Sequence, residues 1–127
     1  MKLYNLRPIL WVNDIRATID WYVSTLGFEE TNYVEEWHWG QIMKDEIRIM
    51  FGKPDELAIQ GKPRFTGTLY FNVDDVESVW QKFKDSSAVY YPLQSFEYEM
   101  KEFAIKDPNG YTLQFGQDVS KPDLQNR

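Results

Sequence analysis

Few side chains in this 127-residue chain are equipped for chemistry, and their types narrow the possibilities quickly. There is no cysteine, which excludes disulfides, thiolate zinc sites and cysteine nucleophiles. The single histidine, His38, sits in the run Glu35-Glu36-Trp37-His38-Trp39. In a strand Glu36 and His38 would share a face and could hold a metal, but a lone strand histidine is more often structural or exposed. No metal site is assigned there. A serine or threonine nucleophile would need a base that only His38 could supply, and neither a Gly-x-Ser-x-Gly elbow nor a glycine-rich phosphate loop occurs. The acid pairs Asp74-Asp75 and Glu35-Glu36 read as a helix cap and a charged turn. No catalytic residue is assigned. Trp37 and Trp39 share one face of an expected strand over residues 37–44, where flat rings either fill a core or grip a planar or cationic ligand.

The elements that must position these groups are organised around residues 7–28. Arg7, Ile9 and Trp11 alternate with Pro8, Leu10 and Val12 as in a strand. Asn13 and Asp14 suit a helix start, Gly27 suits a left-handed C-terminal cap, and Ile15, Ile19 and Tyr22 recur at helical spacing. The passage returns further along at one constant offset, pairing Val12 with Val73, Asp14 with Asp75, Ile19 with Trp80 and Tyr22 with Phe83. A shared strand, cap and helix without a gap points to two copies of one supersecondary unit.

Strands are expected over residues 3–12, 28–34, 37–44 and 46–52, with a helix over 14–26 between the first two. The second unit repeats the order: a strand over 67–73, a helix over 75–84, then strands over 88–91, roughly 96–105 and 111–116. Asp107-Pro108-Asn109-Gly110 is a strong turn signal. The order is thus βαβββ twice, an α+β domain over residues 1–117 with module one at 1–52, a linker at 53–65 and module two at 66–117. Residues 118–127 read as a frayed polar tail.

Hydrophobic residues at 43% and aromatics at 17% are ample for a core. A formal charge of −6 disfavours nucleic acid or an anionic membrane as partner and would welcome a cationic ligand. No signal peptide or membrane span is evident, so a cytoplasmic location is expected.

Three motifs, PILWVNDIRATIDWYVSTLGF, LYFNVDDVESVWQKF and EMKEFAIKDPNGYTLQFG, resemble the vicinal oxygen chelate superfamily of glyoxalase I, bleomycin resistance proteins and extradiol dioxygenases. The resemblance implies two half-barrel sheets cupping a cavity, with helices outside, and a homodimer with two clefts. The superfamily's enzymes hold a divalent metal through inward-facing His, Glu or Gln side chains. Carried over by motif, those positions fall on Arg7, Arg48, Thr68 and Gln114. Arginine has no lone pair to donate, and threonine with glutamine alone makes a poor zinc, nickel or iron site. The Lewis-acid step of the enzymes is therefore not expected, and neither a metal nor another cofactor.

With strand parity kept, these four side chains face the inside of the cup. The two guanidiniums there would need an anionic partner, either a ligand carboxylate or phosphate or a protein acid such as Glu102. Tyr33, Trp37, Trp39 and Tyr98 border the implied cavity mouth; in bleomycin resistance proteins aromatics near the first two positions border the drug groove. The run Tyr98-Glu99-Met100-Lys101-Glu102-Phe103 is similar to the family's aromatic-Gly-x-Arg-Glu-Phe passage, with Glu99 in place of the glycine. The expected function is metal-independent binding of a small molecule by sequestration, with Arg7, Arg48, Thr68, Gln114 and the four aromatics as ligand-binding residues. A metal-dependent lyase or dioxygenase and a non-catalytic dimeric interaction module are the alternatives.

Overall fold

The computed structural model describes residue 2 and residues 5–53 and 68–120. The expected linker lies outside these residues except for Lys53, as does the tail beyond Ser120. The chain divides into two compact units, residues 1–65 and 66–127. In the first, β1 (Ile9–Trp11), α1 (Ile15–Leu26), β2 (Glu29–Val34), β3 (Trp39–Lys44) and β4 (Ile47–Gly52) follow one another. In the second, β5 (Thr68–Asn72), α2 (Val76–Phe83), β6 (Val89–Ser95), β7 (Met100–Lys106) and β8 (Thr112–Asp118) repeat the sequence. Each unit holds one four-stranded mixed sheet among the described residues, ordered β1-β4-β3-β2 and β5-β8-β7-β6. The first strand of each joins the last in parallel, and the other pairings are antiparallel. This is the expected α+β fold of two βαβββ modules, its sheets open and not closed into barrels.

The internal repeat is reproduced in atomic detail. Asp14 caps α1 by accepting from the Ala17 amide at 2.9 Å, and its counterpart Asp75 caps α2 by accepting from the Ser78 amide at 3.3 Å. These bonds satisfy donors that a helix start leaves free. The Val12 amide donates to the Gly52 carbonyl and the Val73 amide to the Gly116 carbonyl, both at 2.9 Å. Gly27 closes α1 at φ 76°.

Each helix covers one face of its own sheet. Ile15, Ile19 and Tyr22 are buried with Leu10, Ile42, Ile49 and Phe51, and Tyr22 packs on Phe28 and Phe51 at 5.7 and 5.2 Å between ring centroids. In the second unit Trp80 and Phe83 of α2 meet Phe103, which stacks on Phe115 at 5.3 Å. Alternation then sends Gln41, Arg48 and Met50 to the open face of the first sheet. It likewise sends Tyr70, Glu102, Gln114 and Gly116 to the open face of the second.

Several boundaries differ from the sequence expectation. Residues 35–37 form a single 3-10 turn, and His38 is left-handed at φ 49°. Val34 pairs with Trp39, so residues 35–38 are the hairpin connection and Trp37 is not in a strand. Glu36 and His38 therefore share no strand face. β6 runs through Pro92 to Ser95 instead of stopping at Tyr91. It is an edge strand with two register shifts, where a missing amide is tolerated. β7 begins only at Met100, because residues 96–99 turn back with the Glu99 amide on the Phe96 carbonyl at 3.0 Å. Glu99 has φ 62°, a left-handed conformation that ordinarily favours glycine, with a side chain present. The start of the tail is tied down: Val119 donates to the Glu99 carbonyl at 3.0 Å, and Ser120 to Asp118.

Candidate functional site

The open face of the second sheet gathers one buried carboxylate and a ring of phenols. Glu102 is only 2% exposed on β7. Its Oε2 accepts from Tyr70 Oη at 2.5 Å, and its Oε1 from Tyr98 at 2.6 Å and Tyr91 at 3.0 Å. Gln114 Nε2 donates to Tyr91 Oη at 2.6 Å and reaches Glu102 Oε1 at 3.5 Å. Burial of a carboxylate is costly unless its oxygens are hydrogen-bonded, and here both are. All donors are phenol or amide groups; among the described residues no cation pairs with Glu102.

Sheet register explains how the phenols arrive. Tyr70 opposes Gln114 on β8, and Gly116 opposes Glu102 on β7. The Tyr70 ring crosses β8 over Gly116, where a Cβ would collide with Oη and stand 2.5 Å from Cζ. Only a bare Cα leaves that passage free. Tyr98 comes from the 96–99 turn, its ring stacked on Phe96 at 5.2 Å, and Tyr91 meets the Phe96 edge.

Burial and the carboxylate together hold all three phenols above their ordinary titration range. For Tyr70 and Tyr91 burial is the leading cause; for Tyr98 it is the hydrogen bond to Glu102, which pushes it up to about 12. In the unfolded chain these phenols titrate near ~10. The folded protein therefore keeps protons that the unfolded chain releases. This contribution to stability is whole below about pH 10 and is lost as pH rises through the folded values. Phenolate absorbance of the native protein should show Tyr70, Tyr91 and Tyr98 titrating late, with stability falling over the same range. Titration of these three near ~10, together with the rest, would contradict it.

In the first unit the residues singled out from the sequence are placed differently from one another. Arg7, just before β1, donates to Gln41 Oε1 at 3.1 Å, and Gln41 in turn donates to Thr31 Oγ1 at 3.0 Å. Arg7 and Arg48 are both exposed, and neither is in an ion pair among the described residues. Glu102, the protein acid considered as one possible partner for them, is engaged by tyrosines. Trp39 lies half-buried on the open face, opposite Gly52. Trp37 stands 72% exposed on the 3-10 turn, so it does not share a strand face with Trp39.

Tyr33 pairs with Gly40, whose Cα lies against Ile19 of α1, and its ring lies 4.8 Å under the Arg16 guanidinium. Arg16 is held by Asp20 at 2.8 Å and Glu30 at 2.5 Å. Tyr33 is therefore on the helix side and does not border the open face. A bulge between Glu30 and Asn32 breaks the alternation that simple parity assumes. Of the second-unit positions, Thr68 is exposed at the start of β5, while Gln114 and Tyr98 join the Glu102 network. Tyr70 and Tyr91 were missed from the sequence; alternation along β5 was the only available signal for Tyr70.

Register also moves one equivalence. Ile9 opposes Met50, and Tyr70, the repeat counterpart of Ile9, opposes Gln114. The counterpart of Gln114 in the first sheet is thus Met50, not Arg48. A thioether is soft and suits Cu(I) better than the hard or borderline divalent ions. Arg7, Met50, Thr68 and Gln114 do not make up a divalent-metal donor set. No group of three or more His, Asp or Glu side chains able to hold a metal occurs among the described residues.

Two βαβββ modules, each with a helix on one face and a polar, aromatic open sheet on the other, define a class of protein. The sequence matches the model of the Glyoxalase/Bleomycin resistance protein/Dioxygenase superfamily over residues 6–115, and the chain belongs to that superfamily. Among solved structures it is similar to a superfamily member from Sphaerobacter thermophilus, at 15% identity and TM-score 0.74, covering 91% of this chain and 98% of that one. The bleomycin-binding protein of Streptomyces verticillus, complexed with copper(II)-bleomycin, is similar at 19% identity and TM-score 0.68, covering 91% and 96%. A lactoylglutathione lyase from Agrobacterium tumefaciens is similar at 16% identity and TM-score 0.69, covering 90% and 92%. At these identities the likeness is one of fold. No curated protein matches the sequence. No helix among the described residues is long and apolar enough to cross a membrane.

Proposed function

We propose that this protein binds a small molecule without a metal and acts by sequestering it, in the manner of bleomycin resistance proteins. The observation that carries the reading is that Arg7, Met50, Thr68 and Gln114 do not make up a divalent-metal donor set, while their faces keep aromatic and hydrogen-bonding side chains. Similarity to a bleomycin-binding protein supports the same reading. A net charge of −6 favours a cationic ligand in the cytoplasm, while exposed Arg7 and Arg48 offer contacts to an anionic group on it. Residues 1–117 act as one domain that pairs into a homodimer with ligand clefts, so equilibrium sedimentation should return twice the chain mass.

Titration with metal-free bleomycin, followed through the five tryptophans, tests the proposal. Saturable quenching near one drug per chain is expected. Trp39→Ala should weaken it by roughly tenfold through loss of a stacking surface. Absence of any change at high drug concentration would remove the resistance role. Metal near one ion per chain in the purified protein would overturn metal independence and favour a lyase or dioxygenase.

A further inference from the structure

Glu102 is a buried charge whose partners are all neutral. Buried carboxylates are ordinarily paired with a cation or a metal, and phenols satisfy their lone pairs without cancelling the charge. Burial and the carboxylate together keep the Tyr70 and Tyr91 protons in place, so the phenols remain donors throughout the physiological range. Glu102 is held on its two oxygens by Tyr98 and Tyr70, residues that are themselves 59% and 38% exposed. Tyr98 is the more exposed of these two donors, and it hangs from the short 96–99 turn instead of from a strand.

From this arrangement we infer that Glu102 is the recognition point for an ammonium group of the ligand, which takes the place of the Tyr98 hydroxyl on Oε1. A primary or secondary ammonium brings a full positive charge together with N–H donors, which one phenol cannot match. The stacked Phe96 and Tyr98 rings give the same cation a negative aromatic surface nearby. Tyr70 remains on Oε2 and orients the carboxylate. The ligand class is an organic amine carrying a flat apolar group. This inference deepens the sequestration reading by assigning its cationic contact.

The probe is 2-phenylethylamine, titrated calorimetrically against the intact protein, with 2-phenylethanol and phenylacetate as neutral and anionic comparators. The amine should bind at least roughly tenfold more tightly than either, the order expected for a charge-assisted contact in place of a neutral one. Glu102→Gln should abolish that preference. Tyr98→Phe should tighten amine binding several-fold, because the ring stays and the competing hydroxyl goes.

Equal binding of amine and alcohol, an unchanged preference in Glu102→Gln, or weaker binding by Tyr98→Phe would each overturn the assignment. Bleomycin binding that is indifferent to Glu102→Gln would leave sequestration standing and the amine site lost. Glu102-dependent amine binding without any bleomycin binding would do the reverse.

Discussion

Phe103→Ala should lower the stability of the second unit by about 3–5 kcal/mol, the range for deleting a fully buried aromatic side chain. Phe103 is 0% exposed and lies at the centre of that unit's core. It touches Trp80 at 5.2 Å, Phe83 at 6.2 Å and Phe115 at 5.3 Å between ring centroids, so it links α2 to both inner strands of the sheet. Its removal costs the transfer energy of a phenyl ring and leaves a void that three other rings can fill only by leaving their rotamers. Domains of this size hold roughly 5–15 kcal/mol in all, so the loss is a large share. Urea unfolding read through tryptophan fluorescence is a direct measurement, since Trp80 is a neighbour of the void. A change below about 1 kcal/mol would mean that the aromatic cluster does not hold α2 to its sheet.

Gly116→Ala should cost about 1.5–3 kcal/mol, the worth of a hydrogen bond to a charged group. A methyl group at 116 occupies the path of the Tyr70 ring, and the 38% exposure of Tyr70 lets the ring swing outward without disturbing the backbone. The hydrogen bond from Tyr70 to Glu102 Oε2 is then lost, while Tyr91 and Tyr98 stay on Oε1. Tyr70→Phe removes the same bond without moving the ring. The double variant should therefore be little worse than Gly116→Ala alone, a non-additivity that denaturant titration of the four proteins measures. Additive costs would show that the glycine matters for backbone reasons instead. Phenolate titration supplies a second check, since freed Tyr70 should return toward the ordinary tyrosine range.

Much of this architecture is legible in one dimension. Asp14 and Asp75 are side chains whose oxygens favour helix starts wherever they occur, and Gly27 favours the left-handed cap; both act within a few residues. The apolar spacing of Ile15, Ile19 and Tyr22, and its return at Val76, Trp80 and Phe83, reflects burial of a helix face, which leaves a period in the sequence. The fold class and the βαβββ repeat follow from those local preferences, as does membership of the superfamily from its motifs.

Other features are set by what stands across the sheet. Nothing local to Pro92 announces that β6 is an edge strand able to lose an amide. The bulge beside Asn32 turns Tyr33 toward Arg16, away from the cavity mouth where the family resemblance puts it. His38 adopts a left-handed conformation because a four-residue connection must close β2 onto β3, and this takes Trp37 out of the strand. Charge alone offers Glu102 only as one possible partner for the arginines and says nothing of the phenols that hold it. Parallel pairing of β5 with β8 brings Tyr70 to the position where a bare Cα at Gly116 lets it cross to the carboxylate, from a distant part of the chain. Local chemistry is written along the sequence because caps, turns and amphipathic faces act over a few residues. The Glu102 network depends on strand register, a long-range choice settled only when whole faces are buried together.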